Sequence, residues 1–291
     1  MPHKYLDQGA GFIGASSSYE ESDTVIIGAP MDYTVSFRPG TRMGPGSIRS
    51  VSEGIEEYSF YLDKDLSELK YCDLGDILLP FGNVEASLHA IQETVSSILA
   101  AGKSPLTLGG EHLITYPIVK AFAQQGYDNL TVIQFDAHAD LRTDYMGVDN
   151  SHATVMRKVA EIVGSPNVFQ LGIRSGTKEE FDYGNKETNF FPEDIVSPLN
   201  QVIEKIGERP VYITVDIDVV DPAFAPGTGT PEPGGCTSTE LIKALHRLSE
   251  LNVVGFDLVE VSPMMDVGDC TSLLGAKLTR EALLSFFNKC D

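Results

Sequence analysis

Short apolar, β-branched runs recur along the chain and alternate with longer stretches whose apolar residues fall at helical spacing. Thr24-Val-Ile-Ile-Gly28-Ala-Pro30 reads as a buried strand. A loop at 34–46, holding five Gly or Pro residues, and a helix from about 47 to 58 follow it. Strands are then expected at 71–74, 105–108, 130–136, 167–173, 211–216 and 252–259. Helices are expected at 83–101, 113–125, 153–163, 238–250 and 272–287, with shorter helices over 177–206. Regular alternation of strand and helix predicts an α/β fold, a parallel sheet with helices on both faces. Residues 1–23, rich in Gly, Ser and Glu, read as an N-terminal arm. With no linker, repeat or low-complexity tract after it, 24–291 reads as one domain.

Two of these strands end in unusual chemistry. Leu130-Thr-Val-Ile-Gln-Phe-Asp136-Ala-His138-Ala-Asp140 finishes an apolar run with three metal-binding side chains at alternate positions, which an extended backbone places on one face. Val211-Tyr-Ile-Thr-Val-Asp216-Ile-Asp218 repeats the design. Gly109-Gly-Glu-His112 follows the 105–108 strand, its glycines permitting a tight turn that presents His112, and Glu260 ends the last strand. All of these groups lie at carboxyl ends of strands, where open parallel sheets bind ligands. A lone His or Asp-x-Asp at a strand end is ordinarily a hydrogen-bonded or capping residue. Several such ends together would be very costly to bury unpartnered, and cations are the simplest partners. Four carboxylates and two imidazoles suffice for two divalent metals that share carboxylates. Such mixed shells favour Mn, with Fe, Co, Zn and Mg also compatible. Two ions about 3.5–4 Å apart bring the pKa of a shared water toward about 7, so the pattern predicts metal-assisted hydrolysis. His3, His89 and His246 fall on the arm or on helices and read as ordinary surface residues.

Charge narrows the partners. With 42 acidic against 21 basic residues the net charge is −21, which argues against a general affinity for nucleic acid and suits a small cationic substrate. Cys72, Cys236, Cys270 and Cys290 are scattered, as expected of reduced thiols rather than of a disulfide framework or zinc ribbon. The N-terminus has no signal pattern, and no apolar run reaches the roughly 20 residues of a membrane helix, so a soluble cytoplasmic protein is expected.

At these residues the chain resembles the arginase/agmatinase family of ureohydrolases, and most of all its agmatinases. The resemblance runs from about residue 24 to the C-terminus. Its marks are Arg38-Pro-Gly-Thr-Arg-Met-Gly-Pro45, Gly109-Gly-Glu-His112, Phe135-Asp-Ala-His-Ala-Asp140, and Asp216-Ile-Asp-Val-Val-Asp-Pro222 with the loop to Pro231. Glu111 stands where Asp is commoner in the family, and Ala139 where Thr is. The resemblance implies a single three-layer α/β/α domain with a mostly parallel eight-stranded sheet and two Mn²⁺ per subunit. His112 and Asp140 would hold one ion, His138 and Asp218 the other, and Asp136 and Asp216 would bridge both. Asp140 would also orient the bridging hydroxide. Glu260 matches the acid that grips the guanidinium, and His152, in Asn150-Ser-His-Ala, matches the proton shuttle. Both therefore count as substrate-binding and catalytic.

The arginase residues that hold an α-carboxylate are absent, since Arg142 stands at the Asn position and Gly147-Val-Asp-Asn-Ser replaces the Ser-bearing stretch. The resemblance thus implies hydrolysis of agmatine to putrescine and urea, in a homo-oligomer (trimer or hexamer). The alternatives are guanidinobutyrase or arginase activity, a single-metal zinc deacylase, and an inactive metal-binding relative. Arg142, facing the pocket, would favour a carboxylate tail; paired with Asp144 or another acid on the rim, it would not.

Overall fold

The computed structural model describes residues 6–7 and 11–287; His3, Cys290 and the rest of the two termini lie outside the described residues. In chain order the strands and helices are β1 (Leu6–Asp7), β2 (Thr24–Ala29), α1 (Gly44–Ser52), β3 (Tyr58–Ser59), β4 (Lys64–Asp65), β5 (Tyr71–Ile77) and α2 (Val84–Ala100). Then come β6 (Ser104–Gly109), α3 (Thr115–Gln124), β7 (Thr131–Phe135), α4 (Val155–Val163), β8 (Val168–Ile173), α5 (Lys178–Glu187) and β9 (Asn189–Pro192). The chain continues through α6 (Leu199–Ile206), β10 (Pro210–Asp216), α7 (Ser238–Arg247), β11 (Asn252–Val259) and α8 (Cys270–Phe286).

One sheet runs β1-β5-β2-β6-β11-β10-β7-β8-β9. Its eight longer strands are parallel, as expected, and the two-residue β1 adds a ninth, antiparallel to β5. Successive residues of a strand serve opposite layers. Ile26 packs into the core beneath α1, α6, α7 and α8, whereas Val25 and Ile27 pack into the core beneath α2, α3 and α4. The helix starts carry their own signals. Asn83 accepts from Ala86 N–H at the head of α2, and Thr177/Glu180 and Thr237/Glu240 form capping boxes on α5 and α7.

Three expectations need correction. The helix after the Gly/Pro loop begins at Gly44, earlier than 47, because Pro45 suits a first helical turn; it stops at Ser52, before a small β3–β4 hairpin. The region 177–206 contains a strand, β9, between its helices. Four residues ending in a proline are tolerated there because the strand lies at the sheet edge. His246 is no ordinary surface residue: its Nε2 lies 2.7 Å from the fully buried Glu281, which Ser59 and Arg280 also contact. Burial alone would raise the Glu281 carboxyl, but the bonds from His246, Arg280 and Ser59 bring it to about 2. His89 is exposed, as expected, and Cys72, Cys236 and Cys270 are free thiols.

Candidate active site

The predicted strand ends converge. β6, β11, β10 and β7 are consecutive in the sheet, although β6 and β7 are neighbours in the chain and β10 and β11 are inserted between them. Their carboxyl ends deliver His112, Glu260, Asp216 with Asp218, and Asp136 with His138 and Asp140 to one place. All but His138 are buried. His112, His138, Asp140, His152, Asp216 and Glu260 line a cavity of about 260 Å³.

The alternate-position argument picks out side chains that do gather, but the chain keeps the extended geometry only in part. β7 ends at Phe135; His138 still makes a strand-like bridge, parallel to Ser175, but the extended run does not carry through Asp140. His138 N–H turns back to donate to Asp136 Oδ1 at 2.6 Å, and Asp140 adopts a left-handed φ of 52°. Glu260 is likewise left-handed at 64°. Non-glycine residues take this conformation at a cost of about 1–3 kcal/mol, and at Glu260 it follows directly after the end of β11.

Two sets of ligand-type atoms form, each mutually within 4.8 Å: His112, Asp136 and Asp216, and Asp136, His138 and Asp218. His112 Nδ1 lies 3.0 Å from Asp136 Oδ2, 3.2 Å from Asp140 Oδ2 and 3.5 Å from Asp216 Oδ2. His138 Nδ1 lies 2.9 Å from Asp218 Oδ2 and 3.7 Å from Asp136 Oδ1. Asp136 thus presents one oxygen to each imidazole. The residues fit divalent cations on an independent test. His112 Nε2 lies 3.0 Å from Thr214 Oγ1, while its Nδ1 is buried with no hydrogen-bond partner among the three carboxylates. A proton on Nε2, donated to that hydroxyl, leaves the Nδ1 lone pair as a metal donor. Without cations, burial would press both imidazoles toward the neutral form. The aspartates instead push His112 well above the ordinary range and His138 up to about 12, the same anionic field that would favour a cation.

Behind these groups runs a row of buried polar side chains that the sequence reading missed. Thr107, Asp257, Thr214, Gln134 and Gln170 are register partners across β6, β11, β10, β7 and β8. Gln170 donates to Gln134 Oε1 at 2.7 Å, and Gln134 donates to Asp136 Oδ2 at 2.6 Å. Tyr212 and Thr115 hydroxyls donate to Asp257 at 2.6 and 2.9 Å. The signal was available: each of these strands breaks its apolar run with a polar residue. Arg174 was missed too, and nothing in its local sequence marks it. Its guanidinium binds the carbonyls of Asp218 and Glu232, tying the 221–235 loop to the site. Thr214→Val should lower divalent-cation affinity by about 10–100-fold, because it removes the acceptor that fixes the His112 tautomer. Equilibrium dialysis against graded Mn²⁺ would show this; unchanged affinity would remove Thr214 from that role.

His152 and Arg142 complete the wall. His152 Nδ1 lies 2.7 Å from the Thr34 carbonyl and its Nε2 3.3 Å from Ser36 Oγ; burial lowers its pKa from the ordinary value. Arg142 lines the cavity, but its partner is Glu180 rather than Asp144: Nε donates to that buried carboxylate at 3.2 Å, and the guanidinium lies 4.7 Å over the Tyr145 ring. Burial raises Glu260 to about 8, against the bond its Oε1 accepts from His112 N–H at 2.8 Å.

The fold and the cluster define a parallel α/β protein built around a site for divalent cations. The model of the arginase family matches residues 22–285, and the chain belongs to that family. It is 53% identical over 281 residues to an agmatinase of Bacillus anthracis (96% of this chain, 97% of that protein). It is 36% identical over 273 residues to a guanidinobutyrase of Pseudomonas aeruginosa (90% of this chain, 85% of that protein). Among solved structures, the agmatine ureohydrolase of Thermoplasma volcanium superposes with a TM-score of 0.87 at 37% identity, covering 96% of this chain and 94% of that one.

Proposed function

We propose that this chain hydrolyses agmatine to putrescine and urea, as a manganese-dependent, cytoplasmic agmatinase. The observation that carries the reading is its 53% identity, across 96% of its length, to an agmatinase. The site supplies what the reaction needs. Two Mn²⁺ ions would suit the mixed imidazole–carboxylate set; His112 and Asp140 would hold one, His138 and Asp218 the other, and Asp136 and Asp216 would be shared. When bound, the ions supply Lewis-acid activation of water.

The remaining work falls to the chain itself. Asp140 orients the attacking oxygen by accepting its hydrogen bond. Glu260 has Oε1 engaged by His112 N–H, so its second oxygen is the one available to a guanidinium, whose charge favours the ionised carboxylate. His152, with Nδ1 tied to a carbonyl, takes up and releases at Nε2 the proton that the leaving amine requires. Arg142 is half-buried and its charge is offset by Glu180 before a substrate tail arrives, which suits the ammonium of agmatine better than a carboxylate. A homo-oligomer, trimeric or hexameric, and a single catalytic domain from residue 24 onward belong to the same proposal. No helix among the described residues is long and apolar enough to cross a membrane.

The test is urea release by the Mn²⁺-loaded protein from agmatine, arginine and 4-guanidinobutyrate side by side, with a metal-stripped control. Urea from agmatine, lost on stripping, is expected. Preference for 4-guanidinobutyrate would keep the chemistry and make Arg142 the residue that selects the tail. No urea from any of the three would favour a metal-binding protein without this activity.

A further inference from the structure

One fully buried acid at the site has no part in the chemistry above. Glu111 precedes His112, yet it belongs to neither set of clustered ligand-type atoms. It accepts from Tyr33 N–H at 3.1 Å, from Thr34 N–H at 2.9 Å and from the Thr34 hydroxyl at 2.6 Å. The same Thr34 then grips His152 twice. Its Oγ1 accepts from His152 N–H at 3.0 Å, and its carbonyl lies 2.7 Å from His152 Nδ1. Gly110 lets the two loops meet this closely, since a Cβ there would sit 2.0 Å from the Met31 carbonyl oxygen.

A carbonyl can only accept, so it demands the proton on His152 Nδ1 even though Ser151 Oγ also lies 3.3 Å from that nitrogen. Nε2 is then left with its lone pair on the cavity side, near Ser36 Oγ. We propose that Thr34, held by Glu111, is a positioning residue that fixes the tautomer and orientation of His152. The inference rests on His152 being the proton shuttle. It makes one short turn do two jobs: His112 faces the metal cluster, and its neighbour Glu111 secures, through Thr34, the imidazole that handles the proton.

Thr34→Val tests this, because it keeps the backbone carbonyl and the shape of the side chain but removes the hydroxyl that links Glu111 to His152 N–H. In the Mn²⁺-loaded protein, kcat for agmatine should fall about tenfold, the equivalent of one lost hydrogen bond, with KM and metal content unchanged. Long-range ¹⁵N–¹H spectra of the histidine rings, recorded with diamagnetic Zn²⁺ in place of Mn²⁺, should show His152 leaving the pure Nδ1–H tautomer. Thr34→Ser should restore both readouts. In a His152→Ala background Thr34→Val should have no further effect. Wild-type kcat and an unchanged tautomer in Thr34→Val, with His152→Ala impaired, would overturn the clamp and spare the shuttle. An undiminished Thr34→Val effect in the His152→Ala background would also overturn it, since Thr34 would then act elsewhere. Full turnover in His152→Ala would remove the shuttle reading and the clamp with it.

Discussion

Replacing Asp136 by asparagine should weaken divalent-cation binding and should reduce urea release by at least on the order of 10²-fold. Asp136 is the residue common to both sets of ligand-type atoms, with Oδ2 3.0 Å from His112 Nδ1 and Oδ1 3.7 Å from His138 Nδ1. Each oxygen already accepts a hydrogen bond, Oδ2 from the Gln134 amide and Oδ1 from His138 N–H, both at 2.6 Å. An asparagine must place its NH₂ at one of these positions, so in either orientation a donor meets a donor and one face of the shared carboxylate is lost. It also removes a negative charge from the middle of the cluster, where cations are to be held. Metal analysis after equilibrium dialysis, alongside the urea assay, measures both effects. Two full equivalents of manganese in the variant would mean that Asp136 is not shared.

The sequence made the gathering of these side chains legible but not its shape. Asp136, His138 and Asp140 could be picked out because acids and histidines directly after an apolar strand have few bland explanations, and the predicted ligands do converge. The extended spacing suggested for them reaches His138, which bridges Ser175, but not the left-handed Asp140, and it knows nothing of the bond that His138 N–H returns to Asp136. The same limit hid β9, whose four residues carry too little pattern to stand out between two helices. It also hid Arg174, which acts on backbone carbonyls 44 and 58 positions away. Thr34 belongs with these. An ordinary loop threonine gains its place only because Gly110 admits Met31 and brings residue 34 under Glu111. Short-range periodicity reports which face of an element is apolar; it cannot report which distant loop closes over that element's end.

Glu260→Gln should separate the substrate binding proposed for this residue from metal binding, because Glu260 belongs to neither set of clustered ligand-type atoms. The substitution keeps the left-handed backbone at φ 64° and the length of the side chain. Its consequence follows from one bond. His112 N–H donates to Oε1 at 2.8 Å, and the glutamine must answer that donor with its own carbonyl oxygen. The NH₂ is thereby forced onto the position from which a carboxylate oxygen would accept from a guanidinium, and donor again faces donor. Losing a charge-assisted hydrogen bond of up to about 3 kcal/mol should lower kcat/KM for agmatine by about 10²-fold. The buried carboxyl is raised to about 8 in the substrate-free protein, so a neutral amide imposes no folding penalty of its own, and the metal-free melting temperature should not fall. Manganese content, melting temperature and steady-state kinetics on one preparation would decide the role. Two equivalents of metal with a deep loss of kcat/KM is the expected result. Manganese lost in step with activity would move Glu260 from the substrate to the metal site, and near-normal kcat/KM at full metal content would leave the guanidinium to another acid.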